Sequence, residues 1–184
     1  IWILALALLL NVLAFVPVVA DEITQNLLSG FEMTLIDSGG KNTIVTRDET
    51  HEIDIDDANS ISIDVRFSKP NQLTIADGDT YEFELPAFFE GVANNIPITV
   101  YGVKVATYSI VGNKVVITFH EAVNNYDDVL LNIQLNGTFD TTVFEEETEV
   151  EVEVPFANGT KYTATIRAQQ KPDRKSTRLN SSHI

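Results

Sequence analysis

Between residues 21 and 172 the apolar residues recur at every second position, the spacing that buries one face of a strand and wets the other. Residues 60–68 (SISIDVRFS) place Ile61, Ile63, Val65 and Phe67 on one side. Residues 80–85 (TYEFEL) align Tyr81, Phe83 and Leu85, and residues 129–139 (VLLNIQLNGTF) align Leu131, Ile133 and Leu135. Residues 149–154 (EVEVEV) alternate without interruption, and three Glu on an outer face suit a sheet edge, where charge discourages pairing with other chains. Strands over 31–36, 104–111, 114–119 and 161–168 complete a set of eight. Between them lie Asp37-Ser38-Gly39-Gly40, Lys69-Pro70-Asn71, Ala76-Asp77-Gly78-Asp79 and Pro86, all turn chemistry. Gly112-Asn113 predicts a type II′ hairpin, because Gly supplies the positive φ. Asn136-Gly137-Thr138 and Asn158-Gly159-Thr160 match the glycosylation triplet and are read as Asn-Gly turns. No stretch predicts a helix of ten residues, and 88–95 predicts at most one helical turn. Many short strands with one apolar and one polar face make the fold all-β, an antiparallel sandwich in preference to a barrel.

The two ends read differently. Residues 1–20 (IWILALALLLNVLAFVPVVA) carry no charge. Pro17 breaks the apolar run, and Val18 and Ala20 stand at the −3 and −1 positions of a cut before Asp21. This is the pattern of a secretory signal peptide with its basic start missing. A membrane anchor is the alternative, since spanning needs about 20 apolar residues, but Asn11 and Pro17 interrupt the run. Residues 173–184 (DRKSTRLNSSHI) resemble a translated sequencing adapter and are set aside as an artefact. What remains, 21–172, is one domain's worth of chain.

Charge narrows the function. The chain has 12 Lys and Arg against 27 Asp and Glu, a formal charge of −15. Nucleic acid needs a basic face, and anionic lipid needs the same, so neither is an expected partner; membrane insertion of the mature domain is not expected either. The chain has no Cys, which excludes disulfides, thiolate metal sites and a Cys nucleophile, and export without Cys suits a bacterial protein.

Candidate chemistry is sparse. His51 and His120 are isolated, His183 lies in the tail, and no Gly-x-Ser-x-Gly elbow occurs. No catalytic residue and no cofactor is expected. Asp54, Asp56 and Asp57, with Asn59, offer oxygens at calcium-like spacing, but the Gly and distal Glu of an EF-hand loop are missing; they are weak calcium candidates beside the simpler reading as a solvated turn. Asp64, mid-strand, would suggest a Lys–Asn isopeptide crosslink only if buried. The aromatics Tyr81, Phe83, Tyr108, Phe119, Phe139, Phe156 and Tyr162 occur at strand spacing and read as core.

In order along the chain, VRFSKP, IADGDTYEFELP, TYSIVGNKVVITFHEAVNN and NIQLNGTFD resemble the first immunoglobulin-like domain of Gram-positive surface adhesins, the microbial surface components recognising adhesive matrix molecules. The resemblance spans about 80 residues, 60–139. It implies an immunoglobulin-like sandwich, export to the bacterial cell wall or surface, a following Ig-like domain, and a host or extracellular-matrix protein or peptide as partner. It also implies a binding role for the family's latch-facing stretch, whose matches here are Thr118, Phe119 and Val123, with Glu121 where Asp is usual; Val116, Ile117, His120 and Ala122 depart from the pattern. Three roles remain open: an adhesin domain, a stalk or spacer without a ligand, and a carbohydrate-binding module of a secreted enzyme.

Overall fold

A computed structural model describes residues 20–146 and 148–169. The signal-peptide and adapter-tail readings fall outside this span, except for Ala20.

The alternating segments form the expected strands, and four more appear between them. In chain order the strands are β1 Leu28–Asp37, β2 Asn42–Val45, β3 Thr50–Asp54, β4 Ala58–Ser68, β5 Thr80–Glu84, β6 Phe89–Glu90, β7 Ile96–Val100, β8 Val103–Val111, β9 Lys114–Phe119, β10 Leu130–Phe139, β11 Glu149–Pro155 and β12 Lys161–Gln169. Two single turns of helix, a 3-10 turn at Glu121–Asn125 and α1 at Val143–Glu146, are the helical segments among the described residues. The expected turn over 88–95 is instead β6 and a loop. Phe88 is drawn into a stack with Phe139 and Phe144, at 5.0 Å and 5.8 Å between ring centres, and this burial outweighs local preference.

The strands make three sheets, ordered β2-β1-β4-β10-β6, β5-β9-β8-β7 and β11-β12-β3. Cross-strand register puts Phe31 opposite Val65 and Leu28 opposite Phe67, so these side chains share the inner face of the five-stranded sheet. Phe67 meets Phe119 of β9 edge-on at 6.5 Å, and Phe31 meets Tyr162 of β12 at 5.0 Å. Both smaller sheets therefore cover the same face. The result is a two-layer sandwich whose second layer is split in two. Its core holds the predicted alternating residues: Ile61, Ile63, Val65, Phe67, Leu131, Ile133 and Leu135 are all buried. A fully buried side chain of this size contributes about 1.5–3 kcal/mol.

Several expectations change on inspection. The β12–β3 pair is parallel, unlike the other strand pairs among the described residues, and an isolated parallel bridge joins Glu22 to Thr80 at the start of β5. Asn136-Gly137 is not a turn but lies within β10. A Cβ on Gly137 would stand 2.3 Å from the Glu90 carbonyl oxygen and 2.7 Å from the Phe89 ring, so the missing side chain lets β6 approach. Asn158-Gly159 does turn the chain, with Gly159 at φ +81°. Gly112 has φ +65° while Asn113 does not turn positive, as a type II′ hairpin requires. The sequence did not announce the second hairpin: Tyr101 and Gly102, both at positive φ, join β7 to β8. Among the described residues no helix is long and apolar enough to cross a membrane.

Candidate functional site

The split in the second layer leaves two strand edges facing one groove. Phe119 N–H donates to Asp79 O (2.8 Å), and Leu85 N–H donates to Asn113 O (2.7 Å). Alternation therefore turns the backbone groups of Tyr81 and Phe83 toward β9, and those of Glu82 and Glu84 away from it. On β11, Phe156 N–H donates to Thr160 O (2.8 Å), and Ala168 N–H on β12 donates to Thr148 O (2.9 Å). The same alternation commits Val150, Val152 and Val154 to β12 and leaves the backbone of Glu149, Glu151 and Glu153 at the edge. β11 is an edge strand, as its outer row of Glu suggests.

Between β5 and β11 lies a groove of about 500 Å³. Its floor is apolar, made of buried Leu28, Tyr81, Phe83 and Val154. Its rim is acidic: Glu22, Glu82, Glu84 and Glu153. Two rim acids are paired, Glu82 with Lys114 at 2.9 Å and Glu153 with Lys161 at 2.6 Å. The hydrogen bond that Lys114 Nζ donates to Glu82, and then the Glu82 charge, hold the Lys114 amine above its ordinary pKa.

Asn26 closes one end of the groove. Its Nδ2 donates to Pro155 O, while its Oδ1 accepts from Leu28 N–H and the Tyr81 hydroxyl, all at 2.9 Å. Burial, opposed by backbone groups of Leu27 and Leu28, pushes the Tyr81 phenol up. The groove offers backbone donors and acceptors along two edges above an apolar floor. That is what an extended peptide needs for strand addition.

The residues singled out by sequence fall elsewhere. Thr118 and Phe119 end β9, which is paired with β5 on one side and β8 on the other, so its backbone is committed. Phe119 and Val123 are fully buried core residues. Glu121 opens the 3-10 turn and is exposed. The open edge is one strand over, on β5. Glu82, Glu84 and Glu153 were visible in the alternation of EFE and EVEV; nothing in the sequence marked Asn26.

Asp54, Asp56 and Asp57 close the β3–β4 turn. Asp57 N–H donates to Asp54 O, and Asp56 N–H to Asp54 Oδ1, each at 3.1 Å. Among the described residues no three His, Cys, Asp or Glu come together to hold a metal ion. Asp64 lies on the half-exposed outer face of β4, opposite Glu32 and Gln134, and lacks the burial an isopeptide crosslink would need. His51 Nε2 accepts from Thr46 N–H at 2.9 Å, and His120 Nδ1 lies 3.1 Å from Asp77 Oδ1. His120 Nε2 is buried with no hydrogen-bond partner. Of the aromatics read as core, Tyr108 and Phe156 are half-buried and the rest are buried.

No curated protein matches the chain by sequence. Similar solved structures include the collagen-binding domain of the Erysipelothrix rhusiopathiae surface protein RspB. Its TM-score is 0.50 at 17% identity, over 83% of this chain and 49% of that one. A serine-rich repeat protein of Streptococcus agalactiae scores 0.49 at 17% identity, over 84% and 48%. The collagen adhesin of S. aureus scores 0.47 at 16% identity, over 83% and 45%. The chain thus spans about half the length of each, and the first of these supports the sandwich fold. The family profile described as a bacterial Ig domain matches residues 54–149, the segment that runs from the end of β3 to the start of β11. With more than half its length covered by that match and the two-layer sandwich in place, the chain belongs to the bacterial Ig domain family.

Proposed function

We propose that this is a non-catalytic adhesin domain, exported to the bacterial cell surface, that binds a host or extracellular-matrix protein by adding one of its extended segments to the groove between β5 and β11. The carrying observation is the pair of free edges, with the backbone of Glu82 and Glu84 on one side and of Glu153 on the other, above Leu28, Tyr81, Phe83 and Val154. Main-chain hydrogen bonds would give affinity, and the apolar floor would select every second side chain. The collagen-binding description of the RspB domain makes collagen the first ligand to try. A carbohydrate platform is less well supported: most of the aromatics that could have formed one are buried.

The test is surface plasmon resonance of the chain over immobilised collagen and other matrix proteins, comparing wild type, Glu82→Pro and Gln134→Ala. Proline at 82 removes a donor from the open edge and leaves the β9 ladder untouched. Gln134 lies on the opposite, solvated face and serves as control. Glu82→Pro should weaken binding about tenfold, the loss of one main-chain hydrogen bond, with Gln134→Ala unchanged. Equal binding by Glu82→Pro refutes the groove. Absence of binding to every matrix protein favours the spacer role.

A further inference from the structure

Asp79 is one of two charged or polar side chains buried among the described residues, at 8% exposure. Its Oδ2 accepts from Ala76 N–H (2.8 Å), which closes the turn before β5. Its Oδ1 points the other way and accepts from Asp21 N–H at 2.9 Å. Among the described residues no Lys, Arg or His lies within ion-pair distance of Asp79. A buried carboxylate with two neutral donors and no cation is unusual, since Asp is seldom buried unless paired.

Asp21 is the residue that the small-residue pattern Val18-Val19-Ala20 places just after a signal-peptide cut. The side chains of Ala20 and Asp21 are exposed. Downstream the leader is already held: Thr80 N–H donates to Asp21 O (2.9 Å), Ile23 N–H donates to Thr80 O (2.7 Å), and Ile23 packs against the core.

We propose that the Asp79 carboxylate is the receptor for the α-ammonium created when the exported chain is cut between Ala20 and Asp21. In that step the Ala20–Asp21 amide C–N bond breaks and water is consumed. Its hydroxyl joins the Ala20 carbonyl, its hydrogen goes to the Asp21 nitrogen, and the new carboxylic acid gives up a proton that completes the ammonium. No redox partner is needed. The nitrogen stays where it is, 2.9 Å from Oδ1, and a neutral hydrogen bond becomes a charge-assisted ion pair. Processing therefore supplies the cation the buried acid lacks and locks the leader onto β5, at the lip of the groove. The inference goes beyond the adhesin role, and shares with it only the export step.

The test is a two-by-two cycle on the chain beginning at Asp21, made by removing a fusion partner that leaves no extra residue. The first change adds one Gly before Asp21, which keeps the Asp21 N–H but moves the charge. The second is Asp79→Asn, which keeps the side-chain shape but removes its charge. Each single change should lower Tm by about 3–10 °C, and adding the Gly should cost nothing further in the Asp79→Asn background. Additive losses, or an unchanged Tm for the Gly-extended chain with Asp79 intact, overturn the proposal. If Asp79→Asn does not fold, the Gly-extended chain alone decides. The mass of the protein secreted from a bacterial host gives the processing step separately: a start at Asp21 is expected, and a start elsewhere overturns the cut while leaving the adhesin role to its own assay.

Discussion

Replacing Tyr162 with Phe removes a single oxygen atom and tests how the split layer is tied to the main sheet. The Tyr162 ring, 4% exposed, lies 5.0 Å from Phe31, and its hydroxyl donates to the Val45 carbonyl at 2.8 Å. That bond joins β12 in the three-stranded sheet to β2 at the edge of the five-stranded one. Phe keeps the ring contact but leaves a buried carbonyl without a donor. An orphaned buried acceptor costs about 1–2 kcal/mol, or about 2–8 °C in Tm for a domain of this size.

The pH dependence provides a second, independent reading. Burial pushes the Tyr162 pKa from its ordinary 10.0 to about 12. A phenol whose pKa is raised on folding stays protonated in the native state while the unfolded chain ionises. The native state then binds more protons, and stability falls as pH rises from the unfolded value near 10 toward 12. Two pH units correspond to about 2.7 kcal/mol at most. Tyr162→Phe should therefore be less stable than wild type at pH 7 and should lose this alkaline decline. The two stability curves should meet between pH 10 and 12. Tyr81 and Tyr108 are also raised by burial, but they are common to both proteins and cancel in the difference. Urea denaturation across pH 7–12 is the assay. Parallel curves for the two proteins, or equal stability at pH 7, would refute the reasoning.

Two further outcomes follow from the packing. Gly137→Ala should cost about 1–3 kcal/mol in denaturant unfolding, because its Cβ meets the Glu90 carbonyl oxygen at 2.3 Å and β6 must move; a change below about 0.5 kcal/mol would mean that β6 is not held against β10. Phe67→Ala empties the centre of the sandwich, where Phe67 is 1% exposed against Phe119, and should cost about 3–5 kcal/mol; near-wild-type thermal unfolding by circular dichroism would show that the two layers do not meet there.

How much of this was legible in the chain depends on whether an element's cause is local. Ile61, Ile63, Val65 and Phe67 alternate because β4 has one dry face, and that alternation marks the strand without any partner. The Gly112-Asn113 hairpin and the β11 edge were readable for the same reason: the turn needs a positive φ, and an outer row of Glu suits solvent. β2, β3, β6 and β7 were missed, since each is short and owes its extension to the strand beside it. Asn136-Gly137 misled because the dipeptide favours a turn locally, whereas β4 and β6 hold it extended from either side. Thr118 and Phe119 were marked by resemblance, but the strand they end became an interior one once β5 and β8 had paired with it.

The sequence by itself determined an all-β domain of acidic charge, without cysteine and with one apolar face to most strands, because composition and period are properties of the chain alone. Only the tertiary structure decided that β5 and β11 would end as open edges across one apolar-floored groove, and that Asp79 would be buried facing the nitrogen of Asp21. Both depend on which strands pair, and pairing joins residues such as Asp21 and Asp79, 58 positions apart, through contacts that no local pattern records.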